Sequence, residues 1–78
     1  MPTVRLAGPY RFYFVSHDLP ERPHVHVDRD EMTAKFWLEP IRLARSLGFA
    51  PHELNRLESL VTERRDQLLE AWNDFFGT

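Results

Sequence analysis

Residues 51–76, PHELNRLESLVTERRDQLLEAWNDFF, carry the pattern that decides the fold. At about 100° per residue, Leu54, Leu57, Val61, Leu68, Leu69, Trp72, Phe75 and Phe76 fall on one broad apolar stripe. Gly48-Phe49-Ala50 precede the stretch, Pro51 suits a first helical position, Glu53 lies in the first turn and Gly77 closes it. The spacing predicts one long helix from about Pro51 to Phe75. Such a stripe has to cover an apolar platform, and the rest of the chain offers only β-type segments. The expected fold is therefore α+β, a small antiparallel sheet of three to five strands backed by one C-terminal helix.

The sheet is expected over residues of about 3 to 46. Val4 to Leu6 is a short strand candidate closed by Ala7-Gly8-Pro9. Tyr10 to Ser16, YRFYFVS, is dense in aromatic and β-branched residues and is the strongest strand signal. Pro20 and Pro23 cannot donate to a ladder, so pairing resumes at His24. His24 to Asp28 is the next strand, Arg29-Asp30-Glu31 the turn, and Met32 to Glu39 the strand after it. Pro40 interrupts, and Ile41 to Ser46 reads as an edge strand or a helical turn.

Parity then separates two faces. With the helix over the more apolar side, Phe12, Phe14, Val25, Val27, Ala34, Phe36 and Leu38 point inward. Arg11, Tyr13, Val15, His24, His26, Asp28, Lys35, Trp37 and Glu39 face away, with His17 at the margin.

Composition bounds the rest. Seventy-eight residues make a single domain, 1–78, small enough that self-association is a reasonable expectation. A hydrophobic content of 42% marks a folded globule rather than a disordered chain. There is no cysteine and no apolar run long enough for a membrane span, which points to a cytoplasmic protein. The net charge of −2 argues against a protein that coats nucleic acid by bulk electrostatics. Residues 1–50, however, carry seven Lys/Arg against six Asp/Glu, and residues 51–78 carry three against six. An anion-binding surface belongs to the first fifty residues.

His24 and His26 are the most chemical feature. Same-side strand neighbours lie roughly 6.5–7 Å apart, close enough for both rings to serve one metal ion, one phosphate or one proton-transfer site. As metal ligands they supply two nitrogens, which His17, Asp18 or Asp28 can complete into a zinc or other divalent site. As catalytic groups without metal, one imidazole takes a proton and another returns it, which suits RNA cleavage with Arg11 or Lys35 stabilising the phosphorane. Arg11, Tyr13, Lys35 and Trp37 are then the binding residues, for phosphate contact and base stacking. The plainer alternative makes Tyr13, Val15 and Trp37 cross-strand pairs or a dimer interface, with the histidines at its rim.

In the helix, Arg65 lies within about 20° of the stripe centre by wheel arithmetic. Its stem packs while its head leaves at the helix edge, or it meets Glu58 or a carboxylate or carbonyl of the sheet. Arg64 on the flank and His52 in the first turn read as surface residues. Glu63, Asp66, Glu70 and Asp74 form a solvated acidic back.

The opening MPTV, the strand RFYF, the proline-bounded PHVHV, the segment AKFWLEP and the terminal LLEAWNDFF together resemble a small bacterial family, domain of unknown function 4160. The resemblance covers nearly the whole chain. It implies a two-gene arrangement similar to toxin and antitoxin pairs, with this chain as candidate toxin and a protein of the domain of unknown function 2442 type as its cognate partner. The histidine pair matches the most distinctive polar element of the resembling sequences. They place a capping serine before the helix, where this chain has Ala50, which forgoes roughly 1 kcal/mol. Two functions follow as expectations: a toxin-like enzyme acting on RNA, or a non-catalytic module that binds a metal, a protein or a second copy of itself.

Overall fold

Alternation in residues 3–47 builds a five-stranded antiparallel meander in the computed structural model, which describes residues 3–15 and 21–77. The strands are β1 (Thr3–Ala7), β2 (Tyr10–Tyr13), β3 (His24–Arg29), β4 (Met32–Leu38) and β5 (Ile41–Leu47), and each pairs only with its sequence neighbours. The aromatic strand ends at Tyr13, earlier than the expected Ser16, while Phe14 still enters the core. Ser16 and His17 lie outside the described residues. Asp30 closes the β3–β4 turn with φ 56°, a left-handed conformation that a short polar side chain tolerates. Residues 41–46, open between two conformations in the sequence, are strand.

The inward set is buried as parity requires: Phe12, Phe14, Val25, Val27, Ala34, Phe36 and Leu38 all lie in the core. Leu57, Val61, Leu68 and Trp72 meet them from the helical side, and Leu54, Leu69 and Phe76 pack partly buried against the same cluster. Phe75, the expected end of the stripe, stays exposed at 41%.

The helix is not continuous. α1 (Pro51–Glu63) and α2 (Arg65–Phe76) meet at Arg64, whose φ of −106° and ψ of 12° depart from helical values. Its N–H is shared between the carbonyls of Leu60 and Val61, both at 3.2 Å, which tightens one turn and lets the axis bend. α1 packs on β5 and β4, α2 on β4. The break falls where two arginines occupy the stretch of stripe between Val61 and Leu68. Arg64, expected as a surface residue, has its Nε and Nη1 buried without a hydrogen-bond partner among the described residues. Arg65 finds the sheet: Nε donates to the Leu38 carbonyl at 3.2 Å and Nη2 to Glu39 at 3.4 Å. His52 is exposed as expected.

Pro51 opens α1 behind an extended Ala50 that offers no side-chain cap, and Gly77, with φ 70°, closes α2 by donating to Asn73 O at 2.8 Å. Glu53 clamps the start of α1 to the sheet. It accepts from the Tyr10 hydroxyl at 2.8 Å and from Arg29 Nη2 at 2.9 Å. The Tyr10 hydrogen bond, with Arg29 behind it, holds the Glu53 carboxyl below its ordinary range.

Candidate functional site

The face away from the helices is organised in rungs. Tyr13 lies opposite His26, His26 opposite Lys35, and Lys35 opposite Arg45, so one row crosses β2, β3, β4 and β5. The next row runs Arg11, Asp28, Thr33 and Leu47. On the other side His24 lies opposite Trp37, and Trp37 opposite Arg42. Cross-strand partners stand about 4.5–5.5 Å apart at Cβ, which brings their side chains into contact.

These contacts make a ladder of rings and cations. The Arg11 guanidinium sits 4.6 Å from the Tyr13 ring centroid, and Tyr13 stacks on His26 at 5.2 Å and 19°. His26 meets His24 edge-on at 5.2 Å, and His24 meets Trp37 edge-on at 5.4 Å. Arg22 and Lys35 lie 4.5 and 4.6 Å from the Trp37 centroid. Thus Arg11, Tyr13, His24, His26, Lys35 and Trp37, the residues expected to share a face, form one contiguous array. His17, the third expected histidine, lies outside the described residues.

The array differs from expectation at His24, which was expected on the open face and lies instead in the interior against α2. His24 is fully buried, because it opens β3 next to the strand's inward set and the Trp72 ring of α2 closes to 5.1 Å from it. Its Nδ1 is 2.7 Å from the Arg22 carbonyl. A carbonyl only accepts, so this nitrogen carries the proton and the tautomer is set by the loop. Nε2 lies 3.8 Å from Glu21, whose carboxylate also accepts from Lys35 Nζ at 2.8 Å. A group with no accessible surface does not meet a substrate directly, so the expected catalytic contact at His24 is not available in this structure. Tyr13 is likewise only 8% exposed, too covered to be a stacking platform. Its hydroxyl donates to Asp28 at 3.1 Å, and burial, followed by the Asp28 charge, pushes its pKa up, which keeps it a neutral donor. Arg11 reaches the same carboxylate at 3.4 Å.

As metal ligands, His24 and His26 offer two nitrogens. No group of three or more His, Cys, Asp or Glu able to hold a metal occurs among the described residues. The pair alone falls short of a three-ligand site.

What does open to solvent is a concavity of about 300 Å³ lined by His26, Thr33, Ala34, Lys35, Arg45, Ser46 and Leu47. Residues bearing an imidazole, an ammonium and a guanidinium line it, a donor set suited to an anion, with the Lys35 ammonium held by Glu21 at 2.8 Å. Arg45 and Arg22 were missed in the sequence. Arg45 follows only when β5 is known to be a strand and its extra residue, Ala44, is counted in the register. Arg22 sits in a loop, where nothing in the sequence indicates that it lies against Trp37.

Among the described residues no helix is long and apolar enough to cross a membrane. No curated protein and no solved structure matches the chain. A family model does, over residues 10–73, the span that holds all of the described array, and on that match the chain belongs to the family described as a domain of unknown function, DUF4160.

Proposed function

We propose that the open sheet face binds an RNA strand through its phosphates, as the toxin-like member of a two-gene module, and that His26 is its proton-transfer group. The observation that supports this most is the concavity that His26, Lys35 and Arg45 line. A phosphodiester seated there has the Arg45 guanidinium, with Lys35 shared between it and Glu21, on its non-bridging oxygens and a half-buried imidazole at hand. In cleavage, His26 takes the 2′-hydroxyl proton as that oxygen attacks phosphorus. The P–O5′ bond breaks, and solvent protonates the departing oxygen. His24 holds the His26 ring by its edge and is a positioning residue. The two-gene context rests on the family resemblance.

The burial of His24 favours a second reading. With one accessible histidine in place of two, the face serves as a non-catalytic surface for a protein partner of the domain of unknown function 2442 type or for a second copy of the chain.

Fluorescence anisotropy with a single-stranded RNA, run beside a gel assay for cleavage, separates these. Lys35→Ala plus Arg45→Ala is expected to weaken RNA binding, and His26→Ala to abolish cleavage while binding persists. Binding without cleavage in the parent protein leaves RNA recognition and removes the nuclease. No binding at low salt, or binding indifferent to the double substitution, overturns the proposal in favour of the protein-binding surface.

A further inference from the structure

We infer that the outer edge of β5 is a docking edge for an acidic, extended segment of another protein, which adds to the sheet as a sixth strand. β5 ends the sheet order, and no backbone group of residues 41–47 bonds to anything beyond β4 among the described residues. Six of its seven residues, Arg42 to Leu47, are exposed. Leu43 at 42% and Leu47 at 68% are two of the three large apolar side chains left in solvent among the described residues. A row of unpaired N–H and C=O groups beside exposed leucines is the usual requirement for strand addition, with main-chain bonds giving affinity and alternate side chains giving selectivity.

Charge decides the occupant. The strand IRLARSL contains Arg42 and Arg45 and no acid, and Lys35 lies directly beside Arg45 in the register. A second copy of the chain, paired antiparallel about Ala44, would bring the same arginines into diagonal proximity across the new ladder, where like charges are unfavourable. The exposed acidic residues among those described sit on the helices (Glu58, Glu63, Asp66, Glu70, Asp74) or in loops and turns (Glu21, Asp30, Glu31, Glu39), and none lies within a strand. An incoming strand with carboxylates opposite Arg42 and Arg45 satisfies both the backbone and the charge. Its carboxylate would also border the concavity that Arg45, Ser46 and Leu47 help to line. The inference does not depend on RNA binding.

The test titrates the 15N-labelled protein with two blocked seven-residue peptides, one alternating glutamate and valine, the other lysine and valine. The glutamate peptide is expected to shift the amide signals of residues 41–47 and slow their hydrogen exchange, and the lysine peptide to leave them unchanged. Arg42→Gln plus Arg45→Gln, at exposed positions, should weaken the glutamate peptide by about fivefold to tenfold, the loss of two exposed charge pairs. Arg42→Glu plus Arg45→Glu should reverse the preference. Three results overturn the inference: no protection of residues 41–47 at millimolar peptide, equal response to both peptides, or a dimer in sedimentation whose β5 amides are already protected.

Discussion

His24 and His26 are one residue apart in the sequence and have different environments. His24 is enclosed by Trp37, Trp72 and His26, with its Nδ1 proton given to a carbonyl, whereas His26 keeps a face on the concavity. His24→Ala removes a buried ring and leaves a cavity, so it should lower unfolding stability by about 2–4 kcal/mol. His26→Ala should cost under about 1 kcal/mol, as a partly exposed position. Urea denaturation of the two variants measures the difference. Equal losses would mean that His24 is not the packing residue its burial implies. The contrast also selects the variant for functional work, because losing activity through His24→Ala reports on folding. Glu53 gives a second prediction. Its carboxyl is held below its ordinary value by the Tyr10 hydroxyl first and Arg29 second. A group depressed in the folded state stabilises above its unfolded pKa and loses that contribution as pH falls through the folded one. Acidification below the ordinary glutamate range should therefore erode stability in the parent more steeply than in Glu53→Gln, as followed by thermal melts from neutral to acid pH. Parallel curves would remove the clamp from the account.

At the scale of elements, the central strands were legible because Phe12, Val25, Val27, Ala34, Phe36 and Leu38 alternate inward with mostly polar or amphipathic outward residues. Val25 and Val27 against His26 and Asp28 give the register of β3 almost unaided. The helix break was not legible. Val61 and Leu68 are seven residues apart, a spacing that an unbroken helix satisfies, and no glycine or proline lies between them. The one sign was the Arg64-Arg65 pair on the route of the stripe. That pair now carries a prediction, since Arg64 buries two guanidinium nitrogens without partners among the described residues. Replacing a buried unsatisfied donor by an apolar group removes a desolvation cost, so Arg64→Leu should stabilise by about 1–2 kcal/mol. A loss instead would show that its third nitrogen anchors the break. The start of α1 offers an independent gain. Ala50 already has the extended φ −73° and ψ 155° of a capping residue but no side-chain acceptor. Ala50→Ser should add about 0.5–1 kcal/mol by satisfying a first-turn N–H, which is about 2–8 °C in Tm for a domain of this size. No shift in Tm would mean that the Glu53 clamp has already fixed the helix start.

Across the whole molecule the charge is divided by layer, which the net value of −2 conceals. Exposed Glu58, Glu63, Asp66, Glu70 and Asp74 cover the outer side of the helices, while Arg11, Arg42 and Arg45 lie exposed on the strands beside the half-buried Lys35. The excess of cations in the first fifty residues was visible by counting, and parity placed Arg11 and Lys35 on the outer face. Their local neutralisation was not visible, because Glu21 and Asp28 reach Lys35 and Arg11 through cross-strand and loop geometry. That division limits how many phosphates the face can neutralise. Lys35 is shared with Glu21 and Arg11 with Asp28, which leaves Arg45 as the cation of the concavity with no carboxylate partner among the described residues. An RNA strand seated there should therefore show a shallow salt dependence, with a slope of log K against log salt near −0.7 to −2, corresponding to one to three phosphate contacts. Arg45→Ala should reduce the slope by about 0.7, the share of one phosphate on a single strand. Neutralising Glu70 and Asp74, exposed on α2, should leave the slope unchanged, since they make no contact with the phosphates. Binding measured between low and physiological salt for the three proteins checks all of this. A steep slope that Arg45→Ala does not alter would place the RNA on another surface, and the rungs from Tyr13 to Arg45 would then be left to the protein partner.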